Sequence, residues 1–75
     1  MTALSDMEQA DRARRDVVAL LRDLPGFAGA GLIPAADGWA VEVHIDPYWL
    51  GRVTVPRRVD GVAVVEVAAE HYDAL

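Results

Sequence analysis

Apolar and polar residues alternate without interruption through Trp39-Ala40-Val41-Glu42-Val43-His44-Ile45. Trp39, Val41, Val43 and Ile45 fall on one side, and Ala40, Glu42 and His44 on the other, because strand side chains change face at every residue. The pattern predicts a strand over residues 39–45, in a sheet with one buried face. Upstream the period changes. Ala10, Ala13, Val17, Leu20, Leu21 and Leu24 recur at helical spacing, with Arg12, Arg15, Asp16, Arg22 and Asp23 largely outside that stripe. This predicts an amphipathic helix over residues 6–23, stopped by Pro25-Gly26. Ser5-Asp6-Met7-Glu8 has capping-box spacing, in which the Ser5 hydroxyl accepts from the Glu8 amide and Glu8 reaches back to Ser5.

Residues 27–33 read F-A-G-A-G-L-I, a strand weakened by two glycines on one face. Close approach of the helix, or of a cross-strand neighbour such as Trp39 or Val41, is the simplest account of Gly29 and Gly31. A phosphate-cradling loop fits less well, because this G-A-G precedes a strand instead of opening a helix. Residues 34–38 form a turn whose Asp37-Gly38 suits a hairpin with positive φ at the glycine. Asp46-Pro47 breaks the second strand. Alternation returns over residues 52–55, Arg52-Val53-Thr54-Val55, as a short third strand. After Pro56 and an Asp60-Gly61 turn, residues 62–67 (V-A-V-V-E-V) are apolar on both faces, which suits an interior strand or one covered by a partner. Residues 68–75 form one helical turn or fray. The expected architecture is one α+β domain over residues 1–75, an N-terminal amphipathic helix packed on an antiparallel sheet of three or four strands.

Seventy-five residues lie near the lower limit for a self-supporting core, although 53% are hydrophobic. One helix covers one sheet face, so self-association is a natural expectation for the other. There is no cysteine, which excludes disulfides, thiolate metal sites and cysteine nucleophiles. The net charge of −5, with arginine as the only cation besides histidine, disfavours general nucleic-acid binding. No signal-peptide pattern is present, and no apolar run approaches the roughly 20 residues that span a bilayer. A cytoplasmic protein without a membrane partner is expected. The lysine-free, Ala/Val-rich composition has the look of a GC-rich bacterial or phage genome.

Leu24-Pro25-Gly26 with Gly29 and Gly31, and later Pro56, Asp60-Gly61-Val62 and Val64, carry a family resemblance. The order helix, L-P-G-x-x-G-x-G strand, hydrophobic return strand and P-x-x-x-D-G-V-x-V segment resembles a small bacterial domain found beside trypsin-like serine protease domains. The resemblance covers roughly residues 15–67. It implies no catalytic residues in this chain, and residues 46–52 lie outside the pattern.

Those residues hold the most distinctive side chains. Tyr48, Trp49 and Leu50 are either folded back over an open end of the core or displayed to a partner, since Tyr and Trp bury large areas at low conformational cost. Arg52, Arg57 and Arg58 are suited to bidentate capture of a carboxylate or phosphate, or to local ion pairing with Asp46 and Asp60. His44 and Asp46 share a strand spacing that His71 and Asp73 repeat, a nitrogen–oxygen ligand set only if the fold unites them. Two surface histidines are the plainer reading. Nucleophilic catalysis has little to draw on: Ser5 is a cap, Thr2 is terminal and Thr54 suits a strand. The sequence therefore points away from an enzyme, with no cofactor and no metal. It points to an interaction module, a small subunit or adaptor of a larger assembly, whose interface comprises Tyr48, Trp49, Leu50, Arg52, Val62 and Val64. The alternative is a regulator or inhibitor of a protease or other enzyme, acting through residues 46–52.

Overall fold

A computed structural model describes residues 6–69. It contains one helix, α1 (Met7–Leu21), and four strands, β1 (Phe27–Ala35), β2 (Gly38–Ile45), β3 (Arg58–Val59) and β4 (Val62–Ala68). The domain is α+β, with the helix packed on a four-stranded sheet of order β1-β2-β4-β3. No helix among the described residues is long and apolar enough to cross a membrane.

The helix begins one residue later than the capping box predicts. Asp6 is the N-cap, and its Oδ1 accepts from the Gln9 amide at 2.7 Å, which satisfies one of the donors that every helix start leaves open. Ser5 lies outside the described residues. Ala10, Ala13, Val17 and Leu21 are buried, a single narrow stripe along the helix. Leu20, expected in that stripe, is 64% exposed. At about 100° per residue Leu20 projects roughly 65° from the middle of that row, at the edge of the buried stripe.

The sheet is mixed, not wholly antiparallel as expected. The β1–β2 and β3–β4 pairs are antiparallel, but β4 runs parallel to β2, with Val41 level with Val64 and Val43 with Glu66. Parallel neighbours require the chain to be carried back along the sheet before the next strand starts. Residues 46–57 supply that return, and so residues 52–55 are not a ladder strand. Their alternation has another cause: Val53 and Val55 pack on the core while Arg52 and Thr54 are exposed, an extended crossover with one apolar side. Pairing resumes only at β3, which turns into β4 through Asp60 (φ 52°) and Gly61 (φ 78°). Two consecutive positive φ values match the right-handed twist of the flanking strands.

Val41, Val43 and Ile45 of β2 meet Val17 and Leu21 of α1 in the core, with Val62 of β4 beside them. Both sheet edges are protected. The β1 edge has a register shift between Phe27 and Gly29, and it includes Pro34, which has no N–H to offer a further strand. At the opposite edge β3 is only two residues long, and the exposed Glu66 sits on β4 beyond its reach.

Candidate interaction surface

The registers assign each strand residue to a face. Val41, Val43, Ile45, Ala30, Leu32, Val62 and Val64 face the helix. The other face is built in rows across three strands: Gly31, Glu42 and Val65 in one, Gly29, His44 and Val67 in the next. A third row contains Ile33 and Ala40 and, by one-residue continuation of the parallel register, Ala63. Among the described residues no helix covers this face, although Ala40 is buried between its neighbours. Val65 is 41% exposed, and Ile33 and Val67 are half-buried. Glu42 and His44 stand at its centre, with Nε2 of His44 3.0 Å from Oε1 of Glu42.

The glycines have a different role from the one expected. A side chain at Gly29 or Gly31 would meet nothing within 4 Å, so neither accommodates the helix or a cross-strand neighbour. Gly29 is required by its backbone, which takes φ 144° at the irregularity in β1. Gly31 carries no such constraint. Together they leave a bare strip of strand on the open face.

At the far end of β2 the aromatic segment divides in two. Trp49 is half-buried against the core, above the Cα of Gly26. Tyr48 is 64% exposed, Leu50 lies at 38%, and Arg52 is exposed. The segment is well ordered by its own hydrogen bonds: the Asp46 carboxylate accepts from the Tyr48 amide at 2.9 Å, and the Asp46 carbonyl from the amides of Trp49 and Leu50. The Tyr48 and Trp49 rings meet edge to face with centroids 5.2 Å apart, and the Arg52 guanidinium lies 4.8 Å from the Tyr48 centroid.

Of the six expected interface residues, Tyr48, Leu50 and Arg52 are therefore available at the surface. Trp49 is a core lid. Val62 is fully buried, and Val64 is packed on the core; in β4 the surface positions are instead Val65 and Val67. Composition could not separate these two sets, because residues 62–65 are apolar at every position. Only the register against β2 does so.

The arginines do not form a clamp. Arg52 is stacked on Tyr48, and Arg58 donates to the Gly61 carbonyl at 3.0 Å in place of the ion pair expected with Asp60. His44 pairs with Glu42, since the strand ends at Ile45 and its alternation does not extend to Asp46. His71 and Asp73 lie outside the described residues. Among the described residues, no three His, Asp or Glu side chains are grouped to hold a metal.

A shallow cleft of roughly 350 Å³ lies between α1 and the β3–β4 turn, lined by Gln9, Arg12, Asp16 and Asp60. Gln9 bridges it by donating to the Asp60 carbonyl at 3.1 Å. The Asp60 carboxyl is pushed above its ordinary value of 3.8, first by a hydrogen bond with Asp16, then by partial desolvation and the Asp16 charge, while Arg12 opposes the shift. A pKa raised by folding adds stability at acid pH, in full below 3.8, and that contribution is lost as pH rises through the folded value. Asp60→Asn should thus melt higher than the parent at pH 7, and the gain should vanish near pH 3. Asparagine also tolerates the positive φ. A gain that persists unchanged at pH 3 would show that the carboxyl pair is not its source.

Comparison of the chain with protein-family models, with curated proteins and with solved structures finds no match.

Proposed function

We propose that this chain is a non-enzymatic protein–protein interaction module, a small subunit or adaptor of a larger bacterial or phage assembly in the cytoplasm, acting through the open face of its sheet. The observation that carries the reading is that face: three strands wide, apolar at Ile33, Val65 and Val67, bare at Gly29 and Gly31, and without covering structure among the described residues. An uncovered sheet face with a valine this exposed marks a binding surface more readily than a scattered apolar residue does. The protected edges support the same reading, since they discourage partners that add a strand and leave the face as the place to dock. The cleft between α1 and the β3–β4 turn is open and charged, a poor enclosure for chemistry that must exclude water.

The reading is tested by Val65→Glu, which sets an unpaired charge in the middle of the contact. Isolated with its natural assembly, the parent chain should co-purify with its neighbours and this variant should not, at an unchanged melting temperature. Co-purification of Val65→Glu at parental levels would sink the idea.

A second reading is favoured by one observation, the ordered display of Tyr48, Leu50 and Arg52. A pre-organised loop of this kind costs little entropy to dock, which suits a regulator or inhibitor of a protease or other enzyme. The resemblance to protease-flanking domains lends that reading its choice of target.

A further inference from the structure

We propose that residues 52–57 are a docking strip for an extended acidic segment of a partner protein, held by main-chain hydrogen bonds along Val53-Thr54-Val55 and by an arginine at either end. The inference rests on the interaction-module reading and gives it a second surface, apart from the open face.

Its first basis is a strand without a ladder. Arg52-Val53-Thr54-Val55 alternates as a strand does and is β-branched at its last three positions. The crossover places it outside the sheet, so it has no strand neighbour. Among the described residues, no N–H or C=O of Val53, Thr54 or Val55 has a hydrogen-bond partner. Such groups are left to water until another chain supplies partners. The segment is nonetheless held in place. The Arg52 amide donates to the Trp49 carbonyl at 2.8 Å, and the Val64 amide donates to the Arg57 carbonyl at 2.9 Å. Between these anchors Val53 and Val55 pack on the core. An added strand therefore meets a template that is already ordered, and little conformational entropy remains to be lost on this side.

Charge names the occupant. Residues 47–59 hold three arginines and no carboxylate, within a chain of net charge −5. The flanking acids are engaged elsewhere: Asp46 accepts from the Tyr48 amide, and Asp60 meets Asp16. Arg58 is tied to the Gly61 carbonyl. Arg52 and Arg57 are both exposed and have no ion pair among the described residues. They stand at the two ends of the free backbone, up to about 17 Å apart along an extended chain. Carboxylates four residues apart on a facing strand are spaced about 13 Å, within reach of both side chains. Arg52 is the better prepared of the two. Its guanidinium lies 4.8 Å from the Tyr48 centroid, a contact that uses one flat face and leaves the N–H edge for bidentate capture. Single-stranded nucleic acid is the poorer occupant, because the strip alternates donors with acceptors and a phosphate chain answers only the donors.

The test titrates the intact chain with the peptide acetyl-EVTVE-amide at about 20 mM salt, following amide chemical shifts. Binding should have a Kd of about 1 mM or tighter, with shifts concentrated at residues 52–57 and slowed hydrogen exchange at Val53, Thr54 and Val55. Acetyl-QVTVQ-amide should bind at least about fivefold more weakly. Arg52→Lys should also cost at least about fivefold at an unchanged melting temperature, since an ammonium cannot both stack and fork. Val65→Ala, on the open face, should bind as the parent does. No shifts at about 5 mM peptide would overturn the strip while leaving the open-face reading intact. Equal binding of the glutamine peptide would overturn the carboxylate contacts that define the partner. Shifts centred on Val65 and Val67 would move the docking site to the open face. Tighter binding of an eight-nucleotide thymidylate strand would overturn the choice of a peptide.

Discussion

Gly26→Ala should lower the melting temperature by more than about 10 °C, or abolish folding, although it adds a single methyl group. The methyl would lie 2.5 Å from Cβ of Trp49 and 2.6 Å from its ring carbons Cγ and Cδ1. Cβ is fixed to the backbone and cannot swing aside as the tip of a flexible side chain would. Residue 26 also has φ 84°, where alanine pays about 1 kcal/mol relative to glycine. Clash and backbone together cost about 3 kcal/mol, and each kcal/mol is worth about 4–8 °C in a domain of this size. Thermal melts of a double-mutant cycle check the cause. Trp49→Gly, which removes Cβ together with the indole, should itself destabilise by about 3–4 kcal/mol. In that background Gly26→Ala should cost only the backbone share, about 1 kcal/mol, and additive costs would refute the contact.

The second large effect is expected at Ile45. It is fully buried, the last residue of β2, paired with Phe27 on one side and level with Ala68 on the other. Its carbonyl also accepts from the Ala69 amide at 2.7 Å. Ile45→Ala leaves a cavity that strands on both sides prevent from closing, so the cost in urea unfolding should be about 3–4 kcal/mol. Val65→Ala, on the open face of the same sheet, should cost less than about 0.5 kcal/mol. Equal costs at the two sites would contradict the assignment of faces.

Legibility in the sequence follows the range of the forces involved. The helix was readable because Ala10, Ala13, Val17 and Leu21 repeat within one segment, and the first hairpin because Asp37-Gly38 joins an apolar strand to a strictly alternating one. Each is a local pattern. Trp49 turns inward over Gly26, more than twenty residues earlier, and no local rule carries that juxtaposition. The direction of β4 was hidden for a similar reason. Residues 46–57 are long enough for a crossover, and alternation over residues 52–55 imitates a strand while its apolar side packs on the core. Gly29 and Gly31 read alike in sequence, yet one serves a strained backbone and the other an empty space. The open face was anticipated in kind, as a greasy side that one helix cannot cover. Its position awaited the register, because Val62, Val64, Val65 and Val67 are chemically equivalent until β2 lies beside them.

The parallel seam between β2 and β4 has a kinetic meaning. Both antiparallel pairs close over two-residue turns, at residues 36–37 and 60–61, and such hairpins form within microseconds. The seam joins the two hairpins only after residues 46–57 have been looped back, and that closure entropy must be spent before any seam contact repays it. The slow step expected in the folding of this chain is therefore closure of that seam, residues 64–68 against residues 41–45.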